Sequence, residues 1–405
     1  MPVLRNEAGR LPDVPFLFLM IRMKSVYSSA SYADTKPHYA LLDGLRGVAA
    51  LLVVWYHVFE GYSFAGGGLV RVVNHGYLAV DFFFMLSGFV LAYAYNDRWG
   101  RGGFTLGGFF RRRLVRLHPM VVFGAVVGLV SFWVQGSVKW DGTSVSLPLT
   151  LLAFVCAVCF VPACSGSSYE VRGAGEMFPL NGPAWSLFFE YIGNVLYAFW
   201  LHRLSRRVLA CLVAVLGICL AGFTVADVSG YGMFGVGWKC DAVNLAGGFI
   251  RLLFPFTMGM LLQRCFRPVR VRGAFWWCAL ILAVLFHVPY VEGAGAVCLN
   301  GVFECFCIMV AFPVALWLGA SGLTSDRFST SVCRFLGDVS YPLYMVHYPL
   351  MYLFYHWLLG GSGRTFAHTW PVALGVCVAS VVLAYAALRL YDEPVRRWLR
   401  GRFAR

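Results

Sequence analysis

The amino-acid sequence predicts an all-α polytopic membrane protein, with about ten transmembrane helices and one possible re-entrant helix. Three observations support this fold class: 60% of the residues are hydrophobic, only 13% are charged, and the apolar residues form long separate segments. Ordinary soluble domains carry about 25% charged residues. A chain this apolar cannot bury its hydrophobic side chains in a water-soluble core. We therefore expect a multi-pass protein of a cell membrane, the cytoplasmic membrane if the source is bacterial.

The apolar segments can be marked directly in the sequence. They lie at about residues 40–59, 77–96, 119–135, 147–163, 184–202, 208–226, 245–263, 274–290, 297–319, 335–359 and 371–391. The heavily basic stretches between and after them are 98–116, 203–207, 264–272, 327–334 and 396–405. Because Lys and Arg concentrate in cytoplasmic loops, these stretches and both termini share the cytoplasmic side if one early segment does not cross.

Segment 147–163 is the best candidate for that exception. Pro148 and Pro162 bracket it, and its length is marginal for a span. We expect it to be a re-entrant or interfacial helix on the outer side, which leaves ten spans. If a different early segment fails to cross, the topology of the later half is unchanged.

The chain is divided into three parts by this pattern. Residues 1–38 are expected to be a poorly ordered cytoplasmic tail, residues 39–399 a single membrane domain, and residues 400–405 a basic cytoplasmic tail. The net charge of +14 does not indicate nucleic-acid binding, because the arginines lie in the short links and not along one face.

The 13 cysteines do not indicate a metal site. Most lie in apolar segments, where a thiol behaves as a small hydrophobic group. Cys156 and Cys159 form a Cys-x-x-Cys motif without a second pair, so core packing is favoured over zinc binding. Cys164, Cys240 and Cys298 fall at segment edges, where a disulfide among them stays open.

Arg46 and His57 are the leading candidates for functional residues, because both lie inside one apolar segment. Ionisable groups cost several kcal/mol in hydrocarbon, and those that persist there usually have a function. Eleven residues return a helix to nearly the same face, about 16 Å further along the axis. His57 is a base suited to accept a hydroxyl proton, and Arg46 is a cation suited to a phosphate or thioester oxygen. The alternative is a snorkelling arginine and a histidine bonded to a neighbouring helix.

Further polar residues extend this candidate site. Asp81 is expected at a depth similar to that of His57, where it orients the imidazole, binds a sugar hydroxyl or pairs within the bundle. Glu190 lies two turns inside an apolar helix and needs a partner or a role there. Trp185 is typical of an interface anchor, and Ser87–Gly88 is typical of a close helix contact.

The remaining ionisable residues have different expected roles that depend on their positions in the chain. Arg113 and Arg116 precede the third span, where the positive-inside rule explains them and a bound phosphate would use the same side chains. Arg251 and Glu304 are expected to pair across helices. His347 lies between two prolines, which free backbone groups and indicate a polar cavity.

Several short motifs occur in a fixed order along the chain. The strongest is Leu42–Gly47 (LDGLRG), with His57 eleven residues after Arg46. The others are 81–89 (DFFFMLSGF), 113–116 (RLVR) followed by Pro119, 185–190 (WSLFFE), 340–349 (SYPLYMVHYP) and 393–397 (EPVRR). Together they resemble the acyltransferase-three family of integral membrane acyltransferases, from about Leu41 to Leu399.

The resemblance implies ten spans with cytoplasmic termini, a cytoplasmic acyl donor, expected to be acetyl-CoA, and an acceptor on the outer side. It implies Arg46 and His57 as the essential pair, and Arg113 and Arg116 as donor contacts. The residues assigned to acceptor binding or support are Asp81, Trp185, Glu190, Tyr341 and His347. No bound cofactor and no metal are expected. Some relatives carry a fused extracytoplasmic esterase-like domain, and we expect any such component here to be a separate protein.

The sequence therefore predicts an O-acyltransferase that modifies a hydroxyl of an extracytoplasmic carbohydrate or glycolipid. Direct transfer and a relay through an acyl group on His57 both fit, and succinyl is an alternative acyl group. The rival function is a transporter or flippase of a sugar-linked substrate without covalent chemistry, because intramembrane ionisable residues also suit proton-coupled transport. The absence of matching inverted halves disfavours the rival.

Overall fold

A computed structural model of the chain describes residues 39–66, 74–99, 104–164, 166–269, 271–293, 295–322 and 326–403. The predicted tail, residues 1–38, lies outside them. The described residues form no β-strand and thirteen α-helices, which confirms the all-α prediction. The helices are α1 (Ala40–Gly66), α2 (Ala79–Tyr95), α3 (Leu106–Val134), α4 (Leu147–Val158), α5 (Ala184–Phe199), α6 (Arg206–Val225), α7 (Ala242–Cys265), α8 (Ala274–His287), α9 (Ala296–Phe306), α10 (Phe312–Ser321), α11 (Arg327–Leu359), α12 (Phe366–Ala387) and α13 (Glu393–Phe403). One π-helical turn, Cys307–Ala311, joins α9 to α10, and another, Leu388–Asp392, joins α12 to α13.

Many of these helices are suited to a lipid environment. Among the described residues, seven stretches are long and apolar enough to cross a membrane: Ala40–Ala65, Gly76–Tyr95, Leu106–Val134, Arg206–Val225, Ala242–Cys265, Ala296–Ser321 and Phe366–Phe403. Apolar side chains such as Ile218 and Val382 point outward from the middle of such helices, 73% and 62% exposed. Apolar surface of this extent is stable in lipid and not in water. The chain is a multi-pass membrane protein.

The links after α3, α4 and α6 meet at one end of the bundle, and we call residues 135–146, 159–183 and 226–241 the loop cap. The N–H of Trp140 donates to the carbonyl of Arg172 at 3.0 Å, and the N–H of Met177 donates to the carbonyl of Trp238 at 2.9 Å. The α1–α2 and α8–α9 links also meet, because the N–H of His75 donates to the carbonyl of Phe286 at 3.0 Å.

The links that follow α2, α5 and α7 meet at the other end, which we call the basic end. The guanidinium of Arg264 donates to the carbonyl of His202 at 3.2 Å. The ring of His202 stacks on Trp99 with 4.4 Å between centroids. The last helix also ends here, since Arg111 at the start of α3 lies over the ring of Phe403.

Helix α4 enters the bundle from the loop cap, and the chain after α4 returns to the loop cap. It has 12 residues, which is about 18 Å of helix against about 30 Å of hydrocarbon. The Trp140–Arg172 hydrogen bond joins the segment before α4 to the segment after it. The ring of Phe160, just after α4, lies 5.2 Å from that of Tyr191 in the middle of α5, so α4 ends inside the bundle and the chain then returns to the end from which it entered.

Helices α1 and α11 approach closely because glycines lie where they meet. A methyl group at Gly47 would overlap the carbonyl of Leu336, and one at Gly337 would lie 2.7 Å from the Cβ of Asp43. Helices α2 and α7 approach in the same way, since a methyl group at Gly88 would overlap the carbonyl of Phe256. The close helix contact predicted at Gly88 is confirmed.

Candidate active site

A narrow cavity lies between α1, α2, α3, α5 and α11, with a volume of about 110 Å³. Its lining follows α2 from Val80 to Leu91, which is about 16 Å along the helix axis. The charged side chains among its lining residues are Asp43, Arg46, Arg113, Arg116 and Glu190. Three cations against two carboxylates make the cavity net positive, so it suits an extended anion.

Arg46 is held as a fixed cation in the wall of this cavity. Its Nε donates to Oγ of Ser340 at 2.8 Å, and its Nη2 donates to the carbonyl of Gly337 at 3.2 Å. The Nη2 atom also lies 3.1 Å from a carboxylate oxygen of Asp43, one turn earlier on α1. These contacts fix the side chain against the middle of α11.

Arg113 and Arg116 differ in what they contact. Arg113 lies 2.9 Å from Oε1 of Glu190, which also accepts a hydrogen bond from Ser87 at 2.7 Å. Arg116 is one turn further along α3 and lines the same cavity, and no residue of the described ranges forms a hydrogen bond or ion pair with it. Arg116 therefore has its charge available to an anion, whereas most of the Arg113 charge is balanced by Glu190.

His57 is bound to an acidic residue of its own helix. Its Nδ1 lies 2.7 Å from Oε2 of Glu60. The hydroxyl of Tyr355 on α11 shares its proton between the carbonyl of His57 at 2.7 Å and the same carboxylate oxygen at 3.1 Å. A carboxylate only accepts, so Nδ1 carries the proton and Nε2 keeps its lone pair. This arrangement makes His57 a base in a fixed orientation.

His347 lies beside His57, with 5.4 Å between the ring centroids. Its side chain is fully buried, and its Nδ1 lies 3.0 Å from the carbonyls of both Leu343 and Tyr344. Because carbonyls only accept, Nδ1 is the protonated nitrogen. Among the described residues its buried Nε2 has no hydrogen-bond partner. A hydroxyl group entering next to His57 would satisfy it.

Tyr344 connects the cavity to the two histidines. It lines the cavity, and its hydroxyl lies 2.7 Å from Oγ of Ser186, another lining residue. Its ring centroid lies 5.8 Å from that of His347. A row of neighbouring side chains therefore runs from the arginines to His57.

The residues assigned to acceptor binding divide among three places. His347 lies beside His57. Glu190 and Tyr341 line the cavity with the arginines, and the hydroxyl of Tyr341 donates to the carbonyl of Leu117 at 2.5 Å. Asp81 and Trp185 lie elsewhere, around Arg251. The roles assigned to all these residues stay predictions.

Asp81 and Arg251 form a buried ion pair. Nη2 of Arg251 lies 2.7 Å from Oδ2 of Asp81, and both side chains are at most 2% exposed. Glu304 instead accepts from the hydroxyl of Tyr77 and, at 3.1 Å, from the N–H of Phe234. The predicted Arg251–Glu304 pair is therefore wrong, and Glu60, not Asp81, orients His57.

Trp185 is not an interface anchor. It is only 8% exposed, and its ring lies 5.1 Å from the guanidinium carbon of Arg251. The interface interpretation fails because Arg251 offers the indole a buried cation to stack on.

The loop cap is anchored to α11 by a buried cation and a buried acid. The guanidinium of Arg172 lies over the ring of Tyr352 at 3.4 Å and donates to Gln135 at 2.6 Å. The hydroxyl of Tyr352 donates to Glu176. Burial raises the pKa of Glu176 to about 7, although Arg172 and the hydrogen bond from Tyr352 oppose the rise.

Two groups of site residues were not predicted from the sequence. Glu60 lies at the i+3 position from His57, a spacing that places it beside the imidazole on a helix. Tyr355, Tyr352 and Arg172 carry no such signal, since their roles depend on packing between distant segments. Among the described residues, no group of three or more His, Cys, Asp or Glu side chains is placed to hold a metal ion.

A row of polar side chains from an arginine-lined cavity to an oriented histidine is an arrangement suited to group transfer. A family model described as an acyltransferase domain matches residues 39–389, most of the chain. The chain belongs to this acyltransferase family. The resemblance seen in the sequence motifs is confirmed.

Individual relatives differ in how much of their length is shared. The chain is 34% identical over 189 residues to "Protein 2 in picA locus" of Rhizobium radiobacter, covering 45% of this chain and 92% of that protein. It is 26% identical over 367 residues to the acyltransferase MdmB of Streptomyces mycarofaciens, covering 85% and 87%. It is 24% identical over 390 residues to the putative peptidoglycan O-acetyltransferase YrhL of Bacillus subtilis (strain 168), covering 90% of this chain and 56% of that protein. The chain thus spans only about half of YrhL. No solved structure matches the chain.

Proposed function

We propose that this membrane acyltransferase transfers an acetyl group from cytoplasmic acetyl-CoA to a hydroxyl of an extracytoplasmic carbohydrate or glycolipid. The observation that carries the proposal is the row of side chains from the arginine-lined cavity, through Tyr344 and His347, to the His57–Glu60 pair. The family supports acyl transfer. The relative YrhL, named as a putative peptidoglycan O-acetyltransferase, favours a hydroxyl of an envelope glycan as acceptor.

The cavity is the donor site in this proposal. CoA has phosphates at one end and a thioester at the end of a narrow flexible arm. The phosphates lie towards the basic end, where Arg116 lines the cavity without a hydrogen bond or close ion pair to another described residue. The arm follows α2, and the thioester reaches the Ser186–Tyr344 end of the cavity, next to His347.

The acceptor hydroxyl binds beside His57. Nε2 of His57 removes its proton while the hydroxyl oxygen attacks the thioester carbonyl. The carbon–sulfur bond breaks, and the CoA thiolate takes the proton from the imidazolium. A relay through an acyl group on His57 would use the same nitrogen in two steps. The rings of Tyr348 and Tyr355, which surround this position, offer apolar faces to a sugar.

The proposed topology has ten crossings, cytoplasmic termini and the loop cap outside. The return of the chain after α4 to the loop cap supports it, because only then do the remaining helices join cap and basic end alternately. Arginines dominate the basic end, which favours the cytoplasmic side. Arg46 near the start of α1 then faces the donor, and His57, about 16 Å further along, faces the acceptor.

The test is acyl transfer in membranes that contain the protein. Inverted vesicles are loaded with an envelope glycan fraction as they form, so that the acceptor lies in the lumen against the extracytoplasmic face. They then receive [14C]acetyl-CoA in the medium, and base-labile label in the glycan is counted. We expect His57→Ala to abolish incorporation and His356→Ala, at an exposed histidine of α11, to leave it unchanged. Movement of a glycolipid without consumption of acetyl-CoA would overturn the proposal in favour of transport.

A further inference from the structure

Cys164 and Cys240 form a pair that the proposed reaction does not use. Cys164 follows α4 and Cys240 precedes α7, so both belong to the loop cap. Their Sγ atoms lie 2.8 Å apart. A disulfide needs a separation of about 2.05 Å, so the two sulfurs would move by less than 1 Å.

The backbone on both sides of the pair is already fixed. The N–H of Ala163 donates to the carbonyl of Met177 at 2.7 Å, and the N–H of Met177 donates to the carbonyl of Trp238 at 2.9 Å. A backbone bridge also joins Glu176 to Lys239, the residue before Cys240. These bonds hold the two cysteine backbones side by side, so closure requires no rearrangement of the loop cap.

We propose that Cys164 and Cys240 form a disulfide that closes the loop cap on the extracytoplasmic side. The inference rests on the proposed orientation of the loop cap, because disulfides persist outside the cytoplasm. The two thiols lose two protons and two electrons to an extracytoplasmic disulfide oxidant. That oxidant is reduced to two thiols as the bond between Cys164 and Cys240 forms.

The two cysteines differ in solvent exposure, and this difference sets the order of the thiol–disulfide exchange steps. Cys164 is exposed, so it meets the oxidant first and forms the mixed disulfide. Cys240 is partly buried, and burial together with the neighbouring Cys164 thiol raises its pKa to about 11. Cys240 then resolves the mixed disulfide, because its sulfur already lies against that of Cys164.

The bond would fix the part of the loop cap that holds Glu176 against Tyr352. It encloses α5 and α6 in one covalent loop, and long enclosed loops gain the most from a cross-link in the chain-entropy account. The candidate acceptor side would then be bordered by a covalently closed wall.

Mass spectrometry of the wild-type protein tests the bond directly. Membranes are treated with N-ethylmaleimide without reductant, denatured and digested with trypsin. We expect the peptide that carries Cys164 to be linked to the peptide that carries Cys240, with maleimide on Cys156 and Cys159. Maleimide on both Cys164 and Cys240, or linkage of Cys240 to another cysteine, would overturn the proposal.

Thermal unfolding distinguishes a disulfide from two neighbouring free thiols. Cys164→Ser and Cys240→Ser should each lower the unfolding midpoint by several degrees, and reductant should lower the wild-type midpoint equally while leaving both variants unchanged. Cys298→Ser, at another exposed cysteine, is the matched control and should behave as wild type.

A linked peptide without acetyl transfer would reject the proposed function alone, and acetyl transfer by a protein with two free thiols would reject the disulfide alone.

Discussion

Nδ1 of His57 lies 2.7 Å from Oε2 of Glu60, and the two side chains are 15% and 22% exposed. The pair is therefore open to a substrate while its geometry is fixed. Tyr355 donates to the same carboxylate oxygen, so α11 holds Glu60 in place from across the helix interface. A histidine, an acid and a hydroxyl donor form a unit that fixes the orientation of the His57 ring and, in the neutral imidazole, places the lone pair on Nε2.

Glu60→Gln should slow acetyl transfer by about 10- to 100-fold, a part of the roughly 10²- to 10⁴-fold that a general base supplies. The glutamine amide can donate to Nδ1, which moves the imidazole proton to Nε2 and removes the base. Initial rates with [14C]acetyl-CoA check this. Glu292→Gln, at an exposed acid near the loop-cap end, is the control and should keep full activity. An unchanged rate for Glu60→Gln would remove Glu60 from the site.

Arg116→Ala should raise the KM for acetyl-CoA by about tenfold, the loss of one charge-assisted contact to phosphate. No hydrogen bond or close ion pair joins it to a described residue, and it acts on the carboxylate of Asp392 only through space, so stability should change little. Kinetics with acetyl-pantetheine, which lacks the nucleotide, should show no change. Arg111→Ala, on the exposed side of the same helix, is the matched control. An equal loss with both donors would contradict a phosphate-binding role.

Periodicity predicted that Arg46 and His57 share a face of one helix, and the structure places both against α11. The residues that contact them could not be predicted from the sequence. Arg46 and Ser340, for example, are 294 residues apart in the chain and meet only because their helices pack together. Glu60 could have been predicted as a partner of His57 from its i+3 spacing. It lies just after the end of the apolar segment that contains His57.

The ion pair of Arg251 shows a second limit of prediction from the sequence. Charge alone cannot decide between Asp81 and Glu304, since either would neutralise the guanidinium. The choice follows from the close approach of α2 and α7 at Gly88, which brings Asp81 to Arg251. Glu304 then finds Tyr77 and a backbone N–H. Helix order was predictable from composition and charge, whereas these pairings depend on interhelical distances.

Gly47→Ala should destabilise the protein by about 1–3 kcal/mol, the usual cost of overpacking a well-packed contact. The added methyl group would overlap the carbonyl of Leu336 and push α1 away from α11. Acetyl transfer should fall as well, since the same contact holds Arg46 at Ser340. Thermal unfolding in detergent measures the change. Gly107→Ala is the control, because its Cβ would meet nothing within 4 Å. Equal stability of the two variants would show that α1 can shift freely.

Asp81→Asn should destabilise the protein by about 3–5 kcal/mol, because it leaves Arg251 charged and buried without its carboxylate. The double variant Asp81→Leu with Arg251→Met should recover most of that loss, since it removes both charges together. Arg389→Ala breaks an exposed pair with Glu393 and should cost less than about 1 kcal/mol. Chemical unfolding in mixed micelles compares the four proteins. A double variant as unstable as Asp81→Asn would indicate that the pair is needed for more than charge balance.

Glu176 should make stability fall as the pH rises from about 4.5 to about 7. Burial raises its folded-state pKa from 4.5 to about 7, so the folded protein binds the extra proton across this interval. Stability is then greatest below the unfolded-state pKa, and it is lost as the carboxyl ionises, by on the order of 3 kcal/mol. Glu176→Gln, which cannot ionise, should remove this dependence, whereas Glu292→Gln should retain it. Unfolding midpoints at pH 5 and pH 8 check the difference. A wild-type protein that gains stability towards pH 8 relative to Glu176→Gln would show that Arg172 and Tyr352 outweigh burial at this carboxyl.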